Sequence, residues 1–128
     1  MAARFSFAAR LKSFHYAFAG LWLMLKTQHN AWIHLANTII VIAAGFYFQV
    51  SAADWRWLTV AVLLVWVAEA LNTAFEHLCD VVSPDFHHAV QKSKDIAAGA
   101  VLLCTVGAMV IGTVTFWPYL QQLMPDWL

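Results

Sequence analysis

The sequence contains few charged residues for its length. Only 11% of the 128 residues are Asp, Glu, Lys or Arg, whereas 62% are hydrophobic. A soluble domain usually carries about 25% charged residues, so this chain lacks the charge needed to cover a water-facing surface. Its formal net charge is zero and it has no basic block, so nucleic acid is not an expected partner. We therefore expect an integral membrane protein.

Several other signatures are missing. Cys79 and Cys104 lack a CxxC spacing and the histidines lack a zinc-like spacing, so neither a disulfide nor a structural metal is expected. The N-terminal region has no apolar run followed by a small-residue cleavage site, so a removable signal peptide is not expected. Neither a Walker A sequence nor a glycine-rich kinase loop is present, so any nucleotide site would be of another kind.

Long apolar runs and many aromatic residues take the place of these features. Seven Trp and nine Phe suit a lipid-facing protein with interfacial belts. A bilayer requires about 20 apolar residues per helix. We predict an all-α integral membrane protein with one domain over residues 1–128, formed by an N-terminal amphipathic surface helix at about 4–26 and three transmembrane helices at about 31–50, 55–82 and 96–119.

The polar connections set the ends of these helices. Ser51 or Asp54 is expected to cap the second span, and Ser83-Pro84-Asp85 is expected to end it, because proline disfavours helical geometry at the preceding residue. The polar segment 85–94 is expected to begin another helix. The third span contains small residues that permit close helix packing, namely Ala97, Ala98, Gly99, Ala100, Gly107 and Gly112.

Lysine and arginine placement predicts the orientation of the chain. Four of the seven lie within residues 4–26, and Lys92 and Lys94 lie in the second connection. The positive-inside rule then gives a cytoplasmic N-terminus, a cytoplasmic 83–95 connection and an outward C-terminus. The acidic residues at the end of the second span therefore face the side of the membrane where nucleotides are found.

Four polar residues form one stripe at this end of the second span. Glu69, Asn72, Glu76 and Asp80 follow the spacing i, i+3, i+7 and i+11, which places them along one face of a helix. Carboxylates are expensive in hydrocarbon, so this stripe is expected to face a protein cavity rather than lipid. The pattern indicates a functional site.

The residue types in the stripe suit phosphoryl transfer. Mg²⁺ is usually held by one or two carboxylates together with phosphate oxygens and water, and Lys94 can place a point charge on a phosphoryl group. Glu69 lies roughly 10 Å deeper than Glu76 at 1.5 Å rise per residue, where a partly desolvated carboxylate suits a general base for a lipid hydroxyl. The alternative is a small membrane protein that conducts protons or cations through Glu69, Glu76, Asp80 and His77.

Longer sequence pieces resemble a known family. The pattern E-x-x-N-[ST]-A-x-E-x-x-x-D at 69–80, followed by SPDFH and KSKDIAAGAVLL, is similar to the prokaryotic membrane diacylglycerol kinases and their undecaprenol kinase relatives. The pieces SFHYAFAGL and NAWIH extend the resemblance over nearly the whole chain. It implies a homotrimer in the bacterial inner membrane, with MgATP as co-substrate, a membrane lipid as acceptor and active sites between subunits.

The resemblance also implies roles for individual residues. Glu69 is expected to act as the general base at the lipid, with Asn72 as a nearby catalytic group and Glu76 as a metal ligand. The expected ATP contacts are Tyr16, Asp85, Phe86, His87, Lys94 and Asp95. Arg10 is expected near the lipid substrate or ATP.

Position 28 departs from the family pattern. Many members have a glutamate there as a second metal ligand, whereas Gln28 offers a neutral carbonyl oxygen, so Asp80 or water is an alternative ligand. For Asp80, Asp85 and Asp95 the structural alternative is helix capping or solvation. His34 is expected to be packed and hydrogen-bonded. The lipid is expected to be diacylglycerol, with undecaprenol as the alternative acceptor.

Overall fold

The chain forms four helices joined by short connections. The computed structural model describes residues 6–123, which contain α1 (Phe7–Thr27), α2 (His29–Tyr47), α3 (Ala52–Val82) and α4 (His88–Gln121) and no β-strand. Helices α2, α3 and α4 are each long and apolar enough to cross a membrane. The predicted all-α membrane fold is therefore confirmed. Arg4 and Phe5, where the predicted surface helix begins, lie outside the described residues.

Helix α1 is attached to the other helices mainly through its C-terminal end. Ser6 caps its start, because the Ser6 side chain accepts a hydrogen bond from the Ala9 N–H. Met24 is the only buried residue of α1. Lys26 lies over the Trp22 ring with its Nζ atom 5.2 Å from the ring centroid. The rest of α1 is largely exposed, as suits a helix at a membrane surface.

A left-handed residue ends α2. Gln49 has a φ of 50°, a conformation that glycine adopts more readily. This turn lets the Gln49 N–H bond the Phe46 carbonyl and the Val50 N–H bond the Gly45 carbonyl, which is the Schellman pattern. Val50 is buried behind the turn. The chain therefore leaves α2 in a fixed direction and can begin α3 two residues later.

The start of α3 carries both caps that the sequence suggested. The Ser51 side chain accepts from the Asp54 N–H at 3.1 Å, and the Asp54 carboxylate accepts from the Ser51 N–H and hydroxyl. The Tyr119 hydroxyl, on α4, donates to the same carboxylate at 2.7 Å and accepts from the Ser51 N–H at 3.2 Å. These contacts tie the first turn of α3 to the C-terminal end of α4.

Helix α3 is the centre of the fold. It packs most extensively against α4 and also contacts α2 and α1. Its buried residues recur every three to four positions, as expected for the core face of a helix: Leu58, Ala61, Val65, Glu69, Asn72 and Thr73. The first part of this face, up to Val65, is apolar, and the part from Glu69 onward is polar.

The glycine with the tightest surroundings is Gly45 on α2, and the glycines of α4 are open. A Cβ atom on Gly45 would lie 2.5 Å from Cη2 of Trp55, so only glycine leaves room for this ring. In contrast, a Cβ atom on Gly99, Gly107 or Gly112 would meet nothing within 4 Å. These three glycines of α4 are thus open to a neighbour within a single chain.

A five-residue connection, 83–87, reverses the chain between α3 and α4. Ser83 follows α3 and its N–H bonds the Cys79 carbonyl. The His87 imidazole then caps α4, with Nδ1 accepting from the Ala89 N–H at 3.2 Å. Because α4 begins at His88, the helix expected to start in the polar segment and the predicted third span are one continuous helix.

Candidate active site

Glu69 occupies the transition between the apolar and polar parts of α3. Its side chain is only 1% exposed, and its Oε2 atom has no hydrogen-bond partner. The nearest basic atom is Nε2 of His34 on α2, at 3.6 Å. Burial of a carboxylate without a hydrogen bond is costly, so such a group calls for an explanation beyond packing.

The next turn of α3 adds two more buried polar groups. Asn72 donates from Nδ2 to Oε1 of Glu76 at 3.4 Å, while its Oδ1 atom has no partner. The hydroxyl of Thr73 is also buried and unpartnered. A buried polar group without a partner costs about 1–3 kcal/mol. Several such groups in one helical segment indicate a site that binds a polar ligand.

Lys94 and Asp95 lie on α4, opposite the end of α3. The Lys94 Nζ atom donates to Oδ1 of Asp80 at 3.0 Å, so the reversal at 83–87 brings these two residues together. Asp95 accepts from Gln91 one turn earlier on α4, at 2.8 Å. Neither Asp80 nor Asp95 caps a helix. The alternative metal ligand, Asp80, is engaged with Lys94 and largely exposed.

The connection between α3 and α4 carries three of the predicted nucleotide contacts, and all three are exposed. The Asp85 carbonyl accepts from the Ser83 hydroxyl at 3.0 Å, which rigidifies the turn. The ring of Phe86 meets that of His88 edge-on, with centroids 5.0 Å apart. His87 caps α4, a structural role that the sequence did not suggest. Asp85 does not cap a helix.

Three further predicted site residues lie on or beside α1. Arg10 and Tyr16 are exposed on its N-terminal half. Gln28 is half-buried and is the single residue between α1 and α2, with no side-chain capping hydrogen bond. Within residues 6–123, no three His, Cys, Asp or Glu side chains come close enough to hold a metal ion by themselves.

His34 is the residue whose importance the sequence pattern did not reveal. It is buried, as predicted, and its Nε2 atom has no hydrogen-bond partner, so the predicted hydrogen bond is not formed at this nitrogen. It faces Glu69, which lies 35 positions later in the chain. The only local signal was a polar residue inside an apolar helix, and this signal does not identify a partner on another helix.

A groove of about 490 Å³ runs along α2, α3 and α4 from His34 toward the opposite end of the bundle. Its walls are mostly apolar, and a few neutral polar side chains interrupt them. The polar lining residues other than His34 are Asn37, Thr38, Thr105 and Thr113. Thr38 accepts from the Trp66 indole at 2.9 Å, so the indole N–H is satisfied within the groove wall. The groove suits a flexible apolar chain with one polar end.

Comparison with known proteins gives one consistent result. The family model described as prokaryotic diacylglycerol kinase matches residues 15–116. An undecaprenol kinase of Bacillus subtilis is 34% identical over 109 residues, which cover 85% of this chain and 89% of that protein. A diacylglycerol kinase of Synechocystis sp. is 37% identical over 115 residues, covering 89% and 66% respectively. A diacylglycerol kinase of Escherichia coli K12 is 25% identical over 101 residues, covering 73% and 83%.

Proposed function

The chain belongs to the prokaryotic diacylglycerol kinase family and is a lipid kinase, and we propose that it transfers the γ-phosphoryl group of ATP to diacylglycerol, giving phosphatidic acid. The single observation that carries this proposal is Glu69, a carboxylate that is 1% exposed and unpartnered at the polar end of a membrane helix. Membership in a kinase family sets aside the proton or cation conductor that the sequence alone also allowed.

Glu69 is the proposed general base, with Asn72 orienting the reacting groups. Glu69 takes the proton of the lipid hydroxyl while the hydroxyl oxygen forms a bond to the γ-phosphorus. The bond from that phosphorus to the β–γ bridging oxygen breaks, and its electron pair leaves with ADP. In such a reaction, positioning and charge neutralisation supply most of the rate enhancement. Because Glu69 is buried, water is kept away from the reacting groups, where it would otherwise compete with the lipid for the phosphoryl group.

We propose that Mg²⁺ is held by Glu76, with Gln28 as a second ligand. The residues fit this ion in its usual mode, in which one or two carboxylates are completed by phosphate oxygens and water, so three convergent protein ligands are not required. Mg²⁺ would neutralise charge on the ATP phosphates. The hydrogen bond from Asn72 to Oε1 of Glu76 orients the proposed ligand.

Most of the proposed nucleotide contacts lie at the reversal between α3 and α4 or at the start of α4. Lys94 would leave Asp80 to meet a phosphate, because an exposed ion pair is weak and is readily exchanged for a more highly charged partner. Asp95 lies beside it. The remaining contacts are Tyr16, Asp85, Phe86 and His87, with Arg10 near the lipid or the nucleotide. All five of these side chains are exposed and therefore accessible to a ligand from solvent.

The groove beside His34 is the proposed site for the lipid chain. His34 borders both the groove and Glu69, so a lipid lying in the groove would bring its hydroxyl end close to the proposed base. The apolar walls then bury the hydrocarbon as the groove runs into the bundle. This arrangement supports a lipid alcohol as acceptor rather than a soluble alcohol.

We also propose that the protein is a homotrimer with active sites between subunits. Arg10 and Tyr16 are exposed on the free half of α1, where they can meet a site on a neighbouring subunit. A Cβ atom placed on Gly99 or Gly107 of α4 would have no neighbour within 4 Å, so another helix can approach there. A single three-span subunit encloses little of its own site.

The proposed location is the bacterial inner membrane, with the N-terminus and the active site facing the cytoplasm. Asp80 meets Lys94 at one end of the bundle and Asp54 meets Tyr119 at the other, so the start of α2, the end of α3 and the start of α4 share one side. This side carries Lys26, Lys92 and Lys94. The positive-inside rule favours the cytoplasm for it.

Undecaprenol is the second candidate acceptor. The undecaprenol kinase of Bacillus subtilis is 34% identical to the chain and is covered over 89% of its length. Both lipids present a primary hydroxyl near the headgroup plane. The groove accepts an apolar chain of either kind, so the choice rests on a direct comparison of the two acceptors.

The decisive experiment follows phosphate from γ-labelled MgATP in detergent–lipid micelles. Wild type and Glu69→Gln are each offered dioleoylglycerol and undecaprenol. We expect labelled phosphatidic acid from wild type and formation that is about 10²–10⁴-fold slower from Glu69→Gln. Labelled polyprenyl phosphate alone would reassign the acceptor. Wild-type protein that is folded yet transfers phosphate to neither lipid would overturn the proposed function.

Subunit mixing tests the proposed trimer. Glu69→Gln and Asp95→Asn proteins are each expected to retain only a small fraction of the wild-type rate as purified. If one site draws Glu69 and Asp95 from different subunits, co-refolding the two variants restores part of the wild-type rate, and light scattering gives three chains per particle. A monomeric mass with full wild-type activity would contradict the trimer.

A further inference from the structure

A histidine and a carboxylate face each other inside the bundle. Nε2 of His34 lies 3.6 Å from Oε2 of Glu69, and the two side chains are 9% and 1% exposed. Each of these atoms is buried and has no hydrogen-bond partner. Among residues 6–123, His34 is the only basic group within 4 Å of the Glu69 carboxylate.

We propose that His34 is a positioning residue for Glu69, an inference that rests on the proposed role of Glu69 as the base. His34 acts as a neutral imidazole with its hydrogen on Nε2, and this N–H donates a hydrogen bond to Oε2 of Glu69. The other carboxylate oxygen, Oε1, is then left to accept the lipid hydroxyl proton. At 3.6 Å the contact is slightly too long for a hydrogen bond, and catalytic hydrogen bonds often tighten only when substrate binds.

The surrounding contacts hold His34 at the level of Glu69. The Trp66 indole of α3 donates to the Thr38 hydroxyl at 2.9 Å, and this hydroxyl donates to the His34 carbonyl at 2.7 Å. This chain of hydrogen bonds fixes the register of α2 against α3. Ala31, one turn before His34, is fully buried, so the backbone of α2 is anchored on both sides of the histidine. The imidazole position is therefore set by the fold.

A neutral donor fits the proton transfer better than an imidazolium. An imidazolium would stabilise the Glu69 carboxylate strongly and so weaken it as a base. After Glu69 took the lipid proton, the imidazolium would also be left as a buried charge without a counter-charge. A neutral imidazole avoids both effects. It holds the carboxylate in place, and it leaves no isolated charge behind when Glu69 becomes the neutral acid.

Four substitutions test this role in the micelle assay. His34→Phe keeps a ring but removes the donor, and we expect kcat to fall about 10–100-fold with KM for lipid and MgATP within about twofold of wild type. His34→Gln places a neutral donor near the Nε2 position and should recover most of the rate. His34→Asn is one methylene shorter and should not. His29→Phe, at an exposed position of the same helix, is the matched control and should leave kcat unchanged.

The Gln and Asn pair keeps the test valid if His34→Phe fails to fold, since both are polar and similar in size. Equal rates for Gln and Asn would overturn the neutral-donor role. Wild-type kcat in His34→Phe would overturn the positioning role altogether. Neither result affects the proposed function, which is tested by the wild-type protein in the same assay: folded wild type without lipid phosphorylation overturns both.

A double-mutant cycle separates positioning from a merely structural role. If His34 acts through Glu69, His34→Phe should cause no further loss of kcat in a Glu69→Gln background. A structural role would instead lower the rate by the same factor in both backgrounds. It would also lower the melting temperature or the oligomer mass of the single variant. Equal losses in the two backgrounds would therefore contradict the inference.

Discussion

The polar groups at the start of α3 are hydrogen-bonded to one another, whereas several of those in its second half have no partner. At its start, Ser51 and Asp54 bond each other, and Tyr119 bonds both, although this end is accessible to solvent. In its second half, Glu69, Asn72 and the residues around them leave buried atoms without partners. We call the first group the Ser51–Tyr119 cluster and the second, Glu69, Asn72, Thr73 and His34, the Glu69 cluster.

Physical chemistry predicts the reverse if stability were the only demand. An unsatisfied polar group costs most where water is excluded, so the Glu69 cluster is where hydrogen bonds would stabilise the chain most. A protein keeps such a group when its free lone pairs or protons serve a ligand or a reaction. The comparison therefore separates a cluster that holds the helices together from one that is available for chemistry.

The largest expected effect comes from Glu69→Gln. The amide keeps the size of the side chain but cannot take a proton, so we expect kcat to fall by about 10²–10⁴-fold, the range for loss of a general base. The variant also removes a buried charge, so its melting temperature should equal or exceed that of wild type. The rate of lipid phosphorylation and thermal unfolding in the same micelles measure both effects.

A Glu69→Gln protein that lost stability while keeping its rate would break the comparison, because the Glu69 cluster would then be structural. If kcat and the melting temperature both fell, partial unfolding would explain the lost rate. Circular dichroism at the assay temperature distinguishes these cases, since it reports the folded fraction at which kcat was measured.

Glu76 is the proposed metal ligand. Glu76→Gln should raise the Mg²⁺ concentration needed for half-maximal rate by about 10–100-fold, because a neutral amide replaces the proposed charged ligand. Phosphorylation rates are measured over a Mg²⁺ titration at fixed ATP. Asp80→Asn provides the comparison, as Asp80 is engaged with Lys94. A larger Mg²⁺ shift in Asp80→Asn than in Glu76→Gln would transfer the ligand role to Asp80.

A smaller effect in the opposite direction is expected at position 28. Gln28→Glu adds a negative charge at the proposed second ligand, and affinity for hard cations rises with the number of charged ligands. We expect the half-saturating Mg²⁺ concentration to fall by about threefold to tenfold. Gln28→Leu should raise it. If both variants match wild type over the Mg²⁺ titration, Gln28 does not contact the metal.

The sequence predicted the helices well because each signal was local. The apolar runs determined α2, α3 and α4, and the Ser51 and Asp54 caps were recognisable from residues three positions apart. The start of α4 was less clear, because His87 is an uncommon cap and the first turns of that helix are polar. The polar face of α3 also followed from spacing, since Glu69 and Asn72 are three residues apart on one helix.

The contacts between helices were not predictable in the same way. His34 and Glu69 are 35 positions apart, and their meeting depends on how α2 packs against α3. The register of that pair rests partly on Trp66 and Thr38, which look like ordinary residues of apolar helices. The buried polar atoms without hydrogen-bond partners can likewise be identified only in the assembled structure, because the possible partners lie on other helices.

The smallest effect on activity, and the test of the other side of the comparison, is Tyr119→Phe. This variant removes the hydrogen bond to Asp54 and the acceptor for the Ser51 N–H, while the ring packing against Phe48 is kept. We expect the melting temperature to fall by a few degrees, with kcat and KM unchanged, because the cluster lies at the end of the bundle opposite Glu69. Tyr47→Phe, at an exposed position, is the matched control and should change neither quantity. A lower kcat without a lower melting temperature would show that the Ser51–Tyr119 cluster also affects the reaction. The assignment of stability to this cluster and of catalysis to the Glu69 cluster would then be wrong.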